Sequence, residues 1–530
     1  SGSIMIPLKL ESDISPVRTQ TFIPLSYLNE LQNMLLRMLA ISGKNATVNA
    51  QTEFFFDPSD IDKLKMQAKI IARHTDTGES PSGSWSAMVN IKGKSGDANL
   101  KMDNYCLDSV WVENAYGSLR LNEKSVCLEK LEALIGRGRQ SGPFELSLAC
   151  NLENGHYKGR FLSGFDPHLI LPLFGFTNGL DSSSIENCKF DAEPPTCSAA
   201  FSGSIANPLY FQAKGTASVK HFHYHGVSNL SAKTVFSFDN SMTNNTLTLT
   251  PLSIVREDGF LQGDMKVDFL SKTLDFNAFS TADPKAVIRI LNPVVEWMVE
   301  PFQVNGPVIM FGSGIIDFAD DDKTDVEYLI DSRNLGLGNF LSSKCLMDIH
   351  VFGEVVDLST VQLEIYGGTA EGSVLFCPIV GQTNDRCLIQ AEANDIDFQM
   401  LVDALPGQKS TLYHGKCSAE GFIESSLGDK TGETALGNIA VEIVRGQVFQ
   451  IPLFSPLTDM FTKLLPGLGL LFYRANVKTV WELEDAKLHT DEILITGDIF
   501  SLKGQGDYYF GDGLDFNVQV NLLRKYYLLG

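Results

Sequence analysis

The sequence has no run of about 18 apolar residues, so no α-helix in it reads as a membrane span. Basic residues are scarce: 42 Lys and Arg face 64 Asp and Glu, a formal charge of −22. An acidic chain repels phosphate backbones, which excludes nucleic acid as a partner. It also gains nothing electrostatically from an anionic bilayer surface, so any hold on a membrane must come from elsewhere. The nine cysteines include no C-x-x-C pair and no zinc spacing. There is no G-x-S-x-G elbow, no H-E-x-x-H and no dinucleotide-binding glycine fingerprint. No cofactor is implied by any motif.

What is present points to strands. The chain is 44% hydrophobic and 20% charged, so it carries enough apolar surface to fold. With 34 Phe and 45 Gly among its 530 residues, it favours pleated strands joined by tight turns. That length exceeds one ordinary core and implies several domains or an extended repeat. Ser1-Gly2-Ser3 reads as a residual linker, so a natural signal or anchor is expected to precede this sequence. Cys188 and Cys197 bracket a polar loop, and Cys377 and Cys387 flank a hairpin tip. Each pair is either a local disulfide of an oxidising compartment or two buried thiols.

Repeats organise the chain. Asp57-Pro58, Asp166-Pro167 and Asp283-Pro284 each follow a strand-like run and open a short helix-like segment; Asp397-Phe398 does so without the proline. The segments are 59–66, 168–174, 285–291 and 399–405, and the spacings are 109, 117 and 114 residues. Asp at the cap with Pro at the first helical position is a start signal. Upstream, Leu128, Leu249, Leu358 and Leu483 are each followed at +3 and +5 by apolar residues and at +14 by a glycine. Leu274-Asp275-Phe276-Asn277 returns as Leu514-Asp515-Phe516-Asn517, two alternating strands with one apolar face. The unit is a strand meander closed by a short helix, about 110–125 residues long, far above the usual solenoid period of about 20–50. Three further helical stretches, 24–39, 287–299 and 453–471, read as core-packing caps on sheet ends.

Chemistry-bearing runs are few. Gly93-Lys94-Ser95 lacks the first glycine of a phosphate loop and reads as a hairpin tip. His221, His223 and His225 would share one strand face, and two of them could share a metal; the plainer reading is an exposed face with Phe222 and Tyr224 packed inward. Asp320-Asp321-Asp322-Lys323 reads as a hairpin tip, and Asp275 and Glu364 as parts of a solvated face. No carboxylate pair stands out as acid and base. An enzyme is therefore not expected.

The C-terminal part carries a recognisable order. A strand, turn and strand over Gly437 to Val448 leads into Ile451-Pro452-Leu453. Then come Leu483-Glu484-Asp485-Ala486-Lys487-Leu488, Leu494-Ile495-Thr496-Gly497 and Gly504-Gln505-Gly506-Asp507-Tyr508, and last Leu514-Asp515-Phe516. This order resembles the C-terminal region of AsmA-like proteins, clearly over 412–523 and more weakly over the rest. The resemblance implies a mainly β fold with few short helices: elongated, curved antiparallel repeats forming an apolar groove. It implies β repeats over 1–175 (with the 24–39 helix), 176–305 and 306–411, followed by the AsmA-like region over 412–530. It implies a periplasmic protein anchored in the inner membrane of a double-membraned bacterium through an N-terminal segment. The expected partner is phospholipid or another acyl lipid, held in the groove between the two membranes. The alternative is a structural or assembly protein that binds membrane-anchored or other envelope proteins through its sheet. Leu274, Phe276, Leu514, Phe516 and Val518 are the expected groove residues.

Overall fold

A computed structural model gives the fold. It describes residues 8–10, 46–55, 65–74, 83–107, 110–136, 141–169, 187–191, 193–207, 209–291, 302–377, 386–404, 414–426, 434–447, 474–484, 486–498, 500–509 and 513–522. The chain is mainly β with few helices, and it divides into two compact units, Ser1–Lys272 and Thr273–Gly530.

The first unit is an antiparallel meander. Each strand pairs with the next from Ala46–Phe55 through Lys65–His74, Ser84–Lys92, Ser95–Leu107, Val110–Asn122, Ser125–Ile135 and Gly142–Asn151 to His156–Ser163. It continues through Thr196–Ser204, Phe211–Tyr224, Val227–Asn240 and Asn245–Val255 to Phe260–Asp268. The short strand Cys188–Phe190 lies in line with Thr196–Ser204 on the same edge of Phe211–Tyr224.

The second unit repeats the plan. Its meander runs from Thr273–Ser280 through Val308–Asp317, Asp325–Ser332, Phe340–Phe352, Val355–Ile365, Gly368–Cys377 and Arg386–Asp397 to Lys416–Ser426. Leu436–Gly446, Ala475–Glu484, Lys487–Gly497, Phe500–Tyr509 and Gly513–Leu522 complete it. A side ladder of Phe302–Val304 and Leu335–Leu337 attaches to the start of Phe340–Phe352.

Among the described residues, tight hairpins join several of these strands. At His225-Gly226 and Tyr366-Gly367 both central residues have positive φ, the geometry whose twist matches that of the flanking strands. Gly93-Lys94 forms the expected tip between its two strands, and Asp321–Lys323 is a single 3₁₀ turn at another.

The Leu marks of the sequence turn out to be β-bulges. The pairing register shifts between Leu128 and Leu131, between Leu249 and Leu252, and between Leu358 and Val361. An apolar residue at +3 instead of +2 is what a bulge demands: one extra residue is looped out, so both flanking side chains keep the same face. The fourth mark differs. Ala486 sits at a turn with positive φ, and the corresponding shift falls one strand later, between Thr490 and Ile493.

The Asp-started helices are partly as expected. Asp166 opens a 3₁₀ turn at Pro167–Leu169 and accepts the His168 amide at 3.0 Å. Asp283 caps the helix Pro284–Leu291 through the Lys285 amide at 3.0 Å. Asp397 caps Phe398–Asp403 through the Met400 amide at 3.0 Å. In the first copy 59–64 lies outside the described residues, and Lys65 and Met66 are strand, Met66 alternating in step with Ala68 and Ile70. The stretches 24–39 and 453–471, and 287–299 beyond residue 291, lie outside the described residues.

Neither cysteine pair is bridged; all four are free thiols. Cys188 stands opposite Tyr224 and Cys197 opposite Ala217 on one strand edge, seven positions and roughly 24 Å apart at strand rise. Cys377 and Cys387 are close, but they pair with Arg386 and Phe376 respectively. They are diagonal neighbours whose side chains leave opposite faces of the sheet.

Candidate functional site

Register fixes which side chains share a face. In the first unit one row can be followed from strand to strand without meeting a polar residue. It runs Ile70, Ala87, Leu100, Gly117, Leu131, Leu146, Phe161, Ala199, Gly215, Phe236, Leu249, Met265. In the second unit a comparable row runs Met310, Ile330, Met347, Val361, Gly372, Ala391, Gly421, Ile439, Trp481. Each unit thus presents one apolar face, as strict period-two patterning requires.

The opposite faces are polar and carry exposed ion pairs. Arg120 meets Glu129 at 3.0 Å, Lys124 meets Glu153 at 2.9 Å, and Lys478 meets Glu442 at 2.8 Å. Such pairs contribute little to stability but keep that side wet.

The apolar face is covered unevenly. In the second unit the helix Phe398–Asp403 sets Phe398 and Val402 onto Cys417, Ile443, Val477, Ile495 and Leu502. There Ile495 is 0% exposed and Val477 2%. The side ladder packs Phe302 and Val304 against Leu335, Cys345 and Met347. In the first unit Phe165, from the 3₁₀ turn region, packs with Val110 and Ile135.

The first unit also carries a row of aromatic rings on its apolar face. Tyr157 and Phe161 both meet Phe201, at 6.3 and 6.2 Å between centroids; Phe201 meets Phe211 at 6.2 Å, Phe211 meets Phe238 at 6.1 Å, and Phe238 meets Phe269 at 6.4 Å. All six rings are half-buried, while Ala199 and Ala213 between them are buried. Small residues make room for the rings. A Cβ on Gly159 would stand 2.5 Å from Phe201 Cζ, and one on Gly203 would collide with the Tyr157 ring. A row crossing strands spaced about 4.8 Å apart gives a track of π-faces and ring edges suited to apolar chains or rings. The second unit's own apolar face opens at Ile389 and Ala391, both exposed.

The expected groove residues fall on this face. Leu274 and Phe276 are 7% and 5% exposed and alternate with exposed Asp275 and Asn277. Phe516 and Val518 pack against the covered C-terminal cluster, and Leu514 stands opposite Tyr508 in the ladder. Leu274 and Phe276 thus offer a ligand little surface, whereas Phe516 and Val518 are half-buried. The aromatic row escaped the sequence reading, although its sign was there: Tyr157, Gly159, Phe161 and Phe201, Gly203 alternate ring and small residue at period two.

No family model and no curated protein matches the chain.

Among the described residues the reactive side chains do not converge. His221 adopts the left-handed backbone region (φ 46°) and His225 lies in a turn, so the three histidines do not line one flat strand. Phe222 is buried, as expected, and His223 Nδ1 lies 3.1 Å from Asp191 Oδ2. Among the described residues no three His, Cys, Asp or Glu side chains gather in a way that could hold a metal. Burial and the nearby Asp166 carboxylate push the Cys188 thiol up to about 11, which keeps it protonated. Among the described residues no helix is long and apolar enough to cross a membrane.

Proposed function

We propose that this protein binds acyl lipid on its apolar β face and passes it along that face within a bacterial envelope. The observation that carries the reading is the unbroken apolar row of each unit, with the aromatic stretch of the first left half-exposed while the opposite faces carry the ion pairs. Contiguous exposed apolar surface on an acidic chain calls for an apolar ligand. The resemblance of 412–523 to AsmA-like proteins supports the same reading, and with it a groove-shaped sheet, a periplasmic location and anchoring at the inner membrane. The mechanism is passive. Acyl chains lie on the rings while head groups stay at the strand ends, and burial contributes about 0.8 kcal/mol per CH₂. No chemical step is required of any residue.

Native mass spectrometry of the purified chain, paired with uptake of a fluorescent phospholipid, tests this. Co-purified lipid and saturable uptake are expected. A lipid-free protein that takes up none of the probe would sink the reading.

A further inference from the structure

One part of the polar face breaks its own rule. The strands Thr273–Ser280, Val308–Asp317 and Asp325–Ser332 contain no Lys or Arg. Their outward positions alternate cleanly with buried or half-buried ones, so what they display is unambiguous. Among these positions Ile309, Phe311, Ile315 and Leu329 are exposed apolar side chains, Phe311 by 50%, and Phe279 meets Phe311 in a tilted contact with ring centroids 4.9 Å apart. Phe311 stands directly between Phe279 and Leu329 in the ladder, so these side chains form one patch.

Carboxylates interleave the patch. Asp331 is opposite Ile309, Asp275 and Asp325 are opposite Ile315, and Asp348 is opposite Leu329. Some outward acids elsewhere in this unit are paired across strands, as Glu442 is with Lys478, Glu492 with Lys503 and Glu424 with Arg386. Here His350, 2.8 Å from Asp325, is the one imidazole at the patch, and no Lys or Arg pairs with Asp275, Asp331 or Asp348 among the described residues. Contiguous exposed apolar side chains rimmed by carboxylates mark an interaction surface.

We propose that this patch docks a cationic amphipathic segment of a partner protein. Its apolar side chains would seat on Phe311, Ile309 and Leu329, and its Lys or Arg side chains would meet Asp331, Asp348 and Asp275. Charge complementarity selects this occupant. A second copy of a chain with net charge −22 brings like charge, and an anionic bilayer is repelled by the same carboxylates. The proposal concerns the face opposite the apolar rows and stands or falls independently of lipid carriage.

The test uses the full chain and a synthetic Leu/Lys amphipathic helical peptide, with its Leu/Glu counterpart as control, followed by fluorescence anisotropy. Saturable binding of the Lys peptide that weakens with salt, and none of the Glu peptide, is expected. Phe311→Ser and the pair Asp331→Asn with Asp348→Asn should each weaken it about tenfold or more, the scale of a central contact. Val235→Ser, an exposed apolar change on the polar face of the first unit, should leave it unaltered. Because every altered side chain is exposed, far-ultraviolet circular dichroism should not change. Binding indifferent to Phe311→Ser and to the two Asn changes overturns the proposal. So does a self-association in sedimentation, or a capture by phosphatidylglycerol vesicles, that Phe311→Ser abolishes.

Discussion

Gly159 shows how one missing Cβ shapes the apolar face. Phe201 lies across it, and Phe201 in turn holds Tyr157, Phe161 and Phe211. Gly159→Val would set a branched side chain against Phe201 and the Ser147 carbonyl, both 2.5 Å from the new Cβ. Overpacking of this kind costs about 1–3 kcal/mol. Urea unfolding should therefore show a lowered midpoint, and an unchanged midpoint would refute the packing described. On the polar face, His489 shows what a residue can do there. Its imidazole is held above its ordinary 6.5 first by the Asp507 carboxylate, 2.7 Å away, and then by Asp491. The folded-state value is raised, so the stabilisation is fully present below pH 6.5 and is lost as pH rises through the raised value. Asp507, held below its ordinary value mainly by His489, works in the opposite sense: its contribution is lost as pH falls through its lowered value. Because His489 is well exposed, the effect is small. Its ring proton should titrate by NMR with a midpoint above 6.5, and Asp507→Asn should bring that midpoint down; a midpoint already at or below 6.5 contradicts the contact.

At the scale of elements, strand existence and facing were legible and strand pairing was not. Leu274-Asp275-Phe276-Asn277 announces a half-buried strand by alternation alone, and Asp275 and Asn277 are indeed exposed. The capping aspartates announce helix starts because a cap is a local interaction. The Leu marks were visible as a repeated spacing, yet their meaning was not, because a bulge is defined only against a partner strand. The disulfide alternative for the cysteine pairs fails for a similar reason. Sequence proximity says nothing about face, and Cys377 and Cys387 leave opposite ones. The bulge reading has a direct consequence. Deleting Ser359 brings Leu358 and Val361 to ordinary +2 spacing, so both keep the apolar face. Deleting Gln362 brings Val361 beside Leu363 and throws one of them to the polar side. The first deletion should fold with nearly native thermal stability, and the second should lower the melting temperature by several degrees. Equal loss from both would show that the register shift is not a spare residue.

For the molecule as a whole, the question is where along the apolar face a lipid would lie. The sequence proposed Leu274, Phe276, Leu514, Phe516 and Val518, because repeated motifs were the only landmarks a linear reading offers. Cover is a tertiary property, and of these residues it buries Leu274 and Phe276. The C-terminal cluster around Ile495 is closed by the helix Phe398–Asp403, whereas the rings from Tyr157 to Phe269 and the stretch at Ile389 retain solvent-facing surface. A ligand that gains from burying its own chain must go where surface is still available, since a filled core would have to open a cavity first. Lipid carriage along the face therefore makes a positional prediction. A photoreactive benzoylphenylalanine introduced at Phe201, Phe211 or Ile389 should cross-link phospholipid when the protein is loaded, and the same group at Trp481, within the covered cluster, should not. Cross-links confined to Trp481 would move the lipid to the covered end, and cross-links at none of the four positions in a demonstrably loaded protein would take the lipid off the apolar face altogether.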